Sequence, residues 1–261
     1  MSRNSRRYHI RAVDRALDLL ATLSTSEAEL TLTEVASRLG LSRSTTYRLL
    51  VTLESRSYVE RNHQTGGYSL GVACLDLGNG FLSQLDLRER VLPVLQALRE
   101  ECKETVHLGI LDTDGMEVIY LEKLVGLLPV VMMGSRVGGR VPAHCTALGK
   151  CMLAYVREEV VRDAYCQEGL RSYTPNTITD LDELVRELGE TRQRGFAIDD
   201  IEHEPAVKCV AAPVWNHEKE VVAAISISAP ADRMNEERCL ELGPLVREAV
   251  LEVSRRMGYM P

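Results

Sequence analysis

The chain has 261 residues, of which 45% are hydrophobic and 26% charged, and this composition excludes a disordered or collagen-like protein. Its length favours two domains over one compact core. No apolar run reaches the roughly 20 residues that a membrane helix needs, and the first residues lack the apolar segment of a secretory signal, so we expect a cytoplasmic protein. Seven cysteines without a CxxC pair indicate reduced thiols and not disulfides.

The net charge of −7 is unevenly distributed along the chain. Residues 1–70 contain ten arginines, no lysine and seven acidic residues, a net charge of +3, so the remaining 191 residues carry −10. Because binding to a phosphate backbone needs cationic surface, the acidic total argues against a nucleic-acid partner, but the first 70 residues do not. This asymmetry indicates a binding domain joined to a second domain of a different kind.

The first part of the chain predicts three short helices. Apolar residues at helical spacing predict an amphipathic helix over residues 10–24. Thr31 and Glu34 have the spacing of a capping box, and Gly40 ends the second helix. Ser42, which only one residue separates from Gly40, can cap a third helix. Two short helices joined by a glycine turn predict a helix-turn-helix unit, with the third helix as the recognition helix.

The residue types of the third helix suit DNA. If its apolar side packs inward, small polar residues and an arginine lie on the opposite side, near the half that enters a major groove. Arginine reads guanine, and serine or threonine contacts bases or phosphates. Strands at 58–61 and 68–70 around a glycine loop predict a wing. The predicted DNA-binding residues are Arg43, Ser44, Thr45, Tyr47, Arg48 and Arg61.

The remainder mixes helices with antiparallel strands and has no regular βαβ repeat, which predicts an α+β domain. We expect a DNA-binding domain at 1–71, a linker helix at 72–87 and a second domain at 88–261. Strands are expected at 105–111, 117–122, 130–133, 207–214 and 221–228. Helices are expected at 88–102, 146–155, 180–194 and 235–257.

Two segments of the second domain indicate a site for a small anion. The helix predicted to begin at Thr146 has free amides at Ala147 and Leu148, and free amides at a helix start attract anions. An ordinary capped helix explains the same segment equally well.

Polar side chains also interrupt apolar strands, at Asp199, Cys209, Ser226 and Ser228. The two serines are two residues apart on one strand and therefore face the same way. If buried, their hydroxyls need partners, which a small bound carboxylate can supply.

The chain resembles the IclR family of bacterial transcriptional regulators. The matching stretches cover nearly its whole length in order: SRSTTYRLLVTLESRSYV, GGRVPAHCTALGKCMLAY, RGFAIDDIEHEPAVKCVAAPV and VVAAISISAP. The resemblance implies a repressor or activator that is a homodimer or homotetramer, with a winged helix-turn-helix and a GAF/PAS-like domain that binds a small organic acid. We expect no cofactor. The resemblance places ligand contacts at Ala147, Leu148, Asp199, Cys209, Ser226 and Ser228, and an apolar pocket wall at Val130, Met133, Val141 and Val207. Leu148 is bulkier than the small residue that the family often has there, which changes the pocket volume.

Two alternatives compete with an acid-binding regulator. One is a zinc-responsive regulator, because residue types that bind zinc recur near the predicted pocket, although no two have a standard ligand spacing. The other is an enzyme with Cys145 or Cys209 as nucleophile and His144 or His203 as base, although adjacent Cys and His residues have poor geometry for this. The alternative metal ligands are His144, Cys145, Asp199, His203 and Cys209.

Overall fold

The computed structural model describes residues 10–84, 86–128 and 134–260, and the chain divides into two compact units between Gln84 and Leu85. Each unit is described by itself. The strand expected at 130–133 lies outside the described residues, and so do Val130 and Met133. Within the described ranges, no helix combines the length and the apolar character that crossing a membrane requires.

The N-terminal unit is a helix-turn-helix with a small two-stranded sheet. Its elements are α1 (Arg11–Ser24), α2 (Leu32–Leu39), α3 (Arg43–Glu54), β1 (Val59–Arg61), β2 (Tyr68–Leu70) and α4 (Ala73–Gln84). The strands β1 and β2 are antiparallel and form the predicted wing. The core joins Leu19 and Leu23 of α1 to Val35 of α2 and Leu50 of α3. The predicted winged helix-turn-helix is confirmed.

Short-range capping fixes the turn between α2 and α3. The Thr31 hydroxyl accepts a hydrogen bond of 3.4 Å from the Glu34 amide, and the Glu34 carboxylate accepts one of 2.7 Å from the Thr31 amide. Gly40 ends α2 with a φ of 62°, a left-handed conformation that glycine adopts without strain. The Ser42 hydroxyl caps α3 because it accepts a hydrogen bond of 3.2 Å from the Thr45 amide. These contacts orient α3 relative to α2 within a few residues of chain.

Helix α1 has two apolar sides where the sequence suggested one stripe. Leu19 and Leu23 are buried in the core. Val13 and Leu17, which belong to the apolar spacing that predicted this helix, are 52% and 60% exposed. Helical spacing identifies residues that share a side, but the packing of α2 and α3 decides which side is covered.

The C-terminal unit is built on a six-stranded antiparallel sheet in the order β5-β4-β3-β8-β7-β6. Its elements are α5 (Asp86–Cys102), β3 (Thr105–Asp112), β4 (Glu117–Leu124), β5 (Arg140–Pro142), α6 (Ala147–Leu153), α7 (Glu158–Glu168), α8 (Leu181–Arg194), β6 (Ala197–Asp200), β7 (Val207–Trp215), β8 (Val221–Pro230) and α9 (Glu236–Arg256). Helices α5 and α9 pack together against the sheet, whereas α6 packs on the sheet together with α8. The α+β fold is confirmed.

Three elements of this unit were missing from the sequence-based expectation: β5, α7 and β6. The strands β5 and β6 have only three and four residues and lie at the two edges of the sheet. Such short edge strands are held by pairing with β4 and β7, and their own sequence carries too few residues to show an alternating pattern.

Candidate functional site

Helix α3 presents the predicted DNA-binding residues on its exposed side. Thr46 and Leu50 are fully buried, so the opposite side of the helix faces outward. Arg43, Ser44 and Arg48 are exposed there, Thr45 is half-buried, and Tyr47 is 49% exposed. The geometry that the recognition-helix hypothesis requires is therefore present.

The wing is tied to the loop between α1 and α2 through Glu29. Thr65 donates to one Glu29 oxygen at 2.6 Å, and Asn62 donates to the other at 2.9 Å. These hydrogen bonds lower the pKa of the Glu29 carboxyl. Exposed Arg61 lies on β1 with its guanidinium 5.7 Å from the centre of the Tyr68 ring. Glu29 thus positions the wing, a role that spans more than 30 residues of sequence and escaped the sequence analysis.

The second site is a cavity of about 30 Å³ between α6 and the sheet of the C-terminal unit. It brings together seven of the predicted effector residues: Ala147, Leu148, Asp199, Val207, Cys209, Ser226 and Ser228. Val141 packs against the adjoining core and is not part of the lining. Six further residues line the cavity: His107, Tyr120, Ser135, Thr146, His203 and Glu204.

His107 is the most informative of the residues that sequence reasoning missed. It is buried on β3 and is the sheet partner of Ser226. Its Nε2 lies 2.9 Å from the Ser135 hydroxyl, and its Nδ1 lies 3.4 Å from the Ser228 hydroxyl. Burial, with a smaller contribution from Lys123, lowers the pKa of His107 to about 3. The imidazole is therefore neutral, with one nitrogen as donor and the other as acceptor.

Two further groups of the lining are held in their neutral forms. Burial raises the pKa of the Tyr120 hydroxyl, and it raises the pKa of the Cys209 thiol well above its usual range. Neutral hydroxyl and thiol groups can donate hydrogen bonds to an anion. The described residues of the lining include no lysine or arginine, so these neutral groups dominate its donor side.

A buried ion pair lies directly behind the cavity. The Lys150 ammonium, on the cavity-forming helix α6, bonds to Glu202 and lies 3.6 Å from Glu187 of α8. The Asp199 carboxyl group, which is part of the lining, accepts a hydrogen bond of 2.7 Å from the Glu202 amide. Burial raises the pKa of Asp199 to about 7, against the lowering effect of that hydrogen bond. The ion pairs of Lys150 join it to Glu202 and Glu187, so among the described residues no cation forms an ion pair with Asp199.

Of the alternative metal ligands, Asp199, His203 and Cys209 line the cavity, whereas His144 and Cys145 are not part of its lining. Among the described residues, no three His, Cys, Asp or Glu side chains are placed to hold a metal ion. The His144 ring bonds to the Arg171 carbonyl at 3.0 Å. Burial raises the pKa values of the Cys145 and Cys209 thiols, which opposes formation of a nucleophilic thiolate.

Comparison with known families decides the identity of the two units. The IclR helix-turn-helix domain matches residues 12–63, and the bacterial transcriptional regulator IclR C-terminal domain matches residues 79–255. The chain belongs to the IclR family. It is a DNA-binding transcriptional regulator with an effector-binding C-terminal domain, and it is not an enzyme.

Individual relatives match over nearly the whole chain. The HTH-type transcriptional regulator XynR of Escherichia coli K12 is 36% identical over 96% of this chain and 98% of its own length. The transcriptional repressor IclR of the same strain is 35% identical over 96% and 91%.

Solved structures of IclR-type regulators agree with this fold. The regulator from Alicyclobacillus acidocaldarius has a TM-score of 0.85 at 32% identity and covers 96% of this chain and 100% of its own. An IclR homologue from Microbacterium hydrocarbonoxydans, complexed with 4-hydroxybenzoate, has a TM-score of 0.82 at 25% identity, with 94% and 98% covered.

Proposed function

We propose that this regulator binds its operator as a homodimer or homotetramer and senses a small organic acid in the cavity beneath α6. The observation that carries the proposal is the buried group formed by His107, Ser226 and Ser228, which are part of the cavity lining. Buried hydroxyls of this kind favour a ligand that accepts hydrogen bonds.

Hydrogen-bond chemistry favours a carboxylate over a neutral ligand. Hydrogen bonds to an ionised acceptor are shorter and roughly twice as strong as those between neutral groups. The two serine hydroxyls, the Tyr120 hydroxyl and a protonated Asp199 are all potential donors. A carboxylate held by such donors needs no lysine or arginine in the lining.

The size of the cavity favours a small acid. Its volume of about 30 Å³ exceeds the 10–15 Å³ needed for one water but is far below that of an open ligand pocket. Leu148 of α6 is part of the lining of this space. A larger ligand would therefore require that Leu148 moves, whereas a compact ligand would not.

DNA recognition in this proposal uses Arg43, Ser44, Thr45, Tyr47, Arg48 and Arg61. A dimer would place two α3 helices in successive major grooves of a pseudo-palindrome. The effector would shift the dimer between two arrangements that differ in DNA affinity.

The pocket half of the proposal is tested with the double variant Ser226→Ala/Ser228→Ala. A thermal-shift screen of small oxo acids, sugar acids and aromatic acids first identifies a stabilising compound for the unmodified protein. We expect the double variant to lose that stabilisation and the response of DNA binding to the compound. DNA binding without the compound should be unchanged, as it should be in the matched control Ser172→Ala outside the cavity. A retained response would rule out the serines as ligand contacts.

A further inference from the structure

The ring of His107 stands between two hydroxyl groups in the wall of the cavity. Its Nε2 lies 2.9 Å from the Ser135 hydroxyl, and its Nδ1 lies 3.4 Å from the Ser228 hydroxyl. All three residues line the cavity, and both His107 and Ser228 are buried. Because the ring is neutral, it carries a proton on one nitrogen only, and the position of this proton decides the direction of both hydrogen bonds.

The position of the ring proton also determines what Ser228 offers to a ligand. With the proton on Nε2, the ring accepts the hydroxyl proton of Ser228, so the serine presents only lone pairs to the cavity and repels a carboxylate. With the proton on Nδ1, the ring donates to the serine oxygen, and the hydroxyl proton is available to a ligand. In the free protein this proton can go to Cys209, the sheet partner of Ser228, whose sulfur is a weak acceptor that a carboxylate replaces. A cavity for acids therefore needs the proton on Nδ1.

Lys123 favours this form of the ring electrostatically. It is the direct partner of His107 across β3 and β4, so both side chains lie on the same face of the sheet. The Lys123 ammonium donates to the Ser135 carbonyl oxygen at 2.6 Å, which places its charge on the Nε2 side of the ring. A cation there attracts the lone pair of Nε2 and repels an N–H group, so the proton belongs on Nδ1. The Glu204 carboxylate holds the same segment, because it accepts a hydrogen bond of 3.2 Å from the Gly134 amide.

We propose that His107 is a positioning residue for the effector, because its Nδ1–H donates to Ser228 and leaves the serine proton to donate to the carboxylate of the ligand. Lys123 and Ser135 hold the ring in this form. The inference rests on the proposed function, and it explains how a lining whose described residues include no lysine or arginine prefers an anion. Hydrogen bonds in series polarise one another, so the chain carries the influence of the Lys123 charge to the cavity.

The position of the ring proton can be measured in the full-length protein. Magic-angle-spinning NMR with ¹⁵N-labelled histidine distinguishes protonated from unprotonated ring nitrogens. The signals of His107 are identified by their loss in His107→Asn. We expect the proton on Nδ1 both in the free protein and in the presence of acetate. A ring that carries its proton mainly on Nε2 would overturn the proposal, whether or not an acid binds.

Two substitutions of His107 separate the roles of its two nitrogens. Asparagine places an amide N–H near the position of Nδ1, whereas glutamine places one near the position of Nε2. His107→Asn therefore preserves the contact with Ser228, and His107→Gln preserves the contact with Ser135.

The probes for these variants are acetate and acetamide, which have nearly the same size and differ in charge. We expect the unmodified protein and His107→Asn to bind acetate about tenfold more tightly than acetamide, because hydrogen bonds to a charged acceptor are stronger. His107→Gln should bind the two probes about equally. The same preference in both variants would contradict the proposal. If either variant fails to fold, the NMR measurement on the unmodified protein decides.

Lys123 tests the electrostatic origin of the effect. Lys123→Met removes the charge, so it should move the ring proton of His107 towards Nε2 and reduce the preference for acetate by about threefold. Lys123→Arg keeps the charge and is the matched control, in which both quantities should be unchanged. A weaker preference in Lys123→Met with the proton still on Nδ1 would indicate direct attraction between the lysine and the anion, and would contradict transmission through His107.

Failure of the proposed function has a different signature from failure of this inference. If the unmodified protein binds neither acetate nor any acid of the screen, the proposed function fails, and the role of His107 in acid recognition fails with it. If an acid binds while His107 carries its proton on Nε2, the proposed function stands and the inference alone is wrong.

Discussion

The two units differ in whether they bury charged side chains. In the described part of the N-terminal unit, the buried polar side chain is Thr46, and the arginines of α3 are exposed. The C-terminal unit buries Lys150, Asp199 and Glu202 next to its cavity. The N-terminal unit thus keeps the charges of its described residues available for a charged partner, whereas the C-terminal unit, which also has exposed charges, buries some of its charged side chains beside the cavity.

This difference separates stability from recognition. An exposed arginine interacts with its surroundings through a high dielectric, so its removal affects DNA binding far more than folding. A buried ammonium or carboxylate has lost its hydration and depends on the few groups around it. Substitutions in the two units should therefore have different consequences, and the following four predictions test this in order of decreasing effect.

The largest effect is expected from Lys150→Met. The variant leaves Glu202 buried without its counter-charge, and removal of one partner from a buried pair costs about 3–5 kcal/mol. Urea denaturation should show this loss in the unfolding of the C-terminal unit. As a control, Arg162→Met removes an exposed ion pair with Glu158, for which we expect a loss below about 1 kcal/mol.

The double variant Lys150→Met/Glu202→Gln checks the cause of that loss. If uncompensated charge is responsible, neutralising Glu202 should recover part of the stability. A loss below about 1 kcal/mol in Lys150→Met itself would contradict the view that buried charge organises this unit.

The same contrast explains which features were predictable from sequence. The winged helix-turn-helix depends on short-range signals, such as Thr31 with Glu34 and the glycine at position 40, all within ten residues. Ser226 and Ser228 were identified as site candidates because they interrupt an apolar strand. Their roles as ligand contacts stay a prediction.

Other parts of the cavity depend on contacts between distant segments. His107 lies in a strand that was predicted, but its place in the lining depends on the pairing of β3 with β8, more than 100 residues later. The Lys150–Glu202 pair joins residues 52 positions apart. Neither periodicity nor capping carries information about such pairings. The one signal for His107 in the sequence is that it is a polar residue inside a predicted strand, as Ser226 and Ser228 are, and this could have marked it as a candidate site residue.

The second prediction concerns the pH dependence of stability through Asp199. Its folded-state pKa of about 7 lies above the ordinary value of 3.8, so between these values the folded protein holds a proton that the unfolded chain releases. This proton stabilises the fold fully below pH 4, and the contribution is lost as the pH rises through 7.

Asp199→Asn isolates this contribution. From pH 5 to pH 7 we expect the unmodified protein to lose about 2 kcal/mol of unfolding free energy relative to the variant. His107 acts in the opposite direction, because its low pKa costs stability as the pH falls below 6.5 towards 3. Since both proteins contain His107, its effect cancels in the difference. Parallel pH profiles from chemical denaturation would refute the assignment of a raised pKa to Asp199.

The third prediction concerns recognition by the exposed unit. Arg48→Ala should weaken binding to the DNA upstream of its own gene by about 1–3 kcal/mol if Arg48 reads a base. Fluorescence anisotropy at fixed salt measures the loss, and urea denaturation should show unchanged stability. Arg38→Ala, an exposed arginine on α2, is the control and should have a smaller effect. Unchanged DNA binding would remove Arg48 from the base-reading surface, and a large loss of stability would break the contrast between the two units.

The smallest effect is expected at the cap of α2, where the N-terminal unit depends on a short-range contact for its stability. Thr31→Ala removes the hydroxyl that accepts a hydrogen bond from the Glu34 amide. This loss should destabilise α2 by about 1 kcal/mol. Glu34→Gln is the matched control, because glutamine preserves the capping box. Amide hydrogen exchange should be faster in α2 of the first variant and nearly unchanged in the second. Because α3 follows α2 directly, loosening the cap should also weaken DNA binding slightly without altering the cavity. Equal acceleration in α2 and in the sheet of the C-terminal unit would show instead that the two units unfold together.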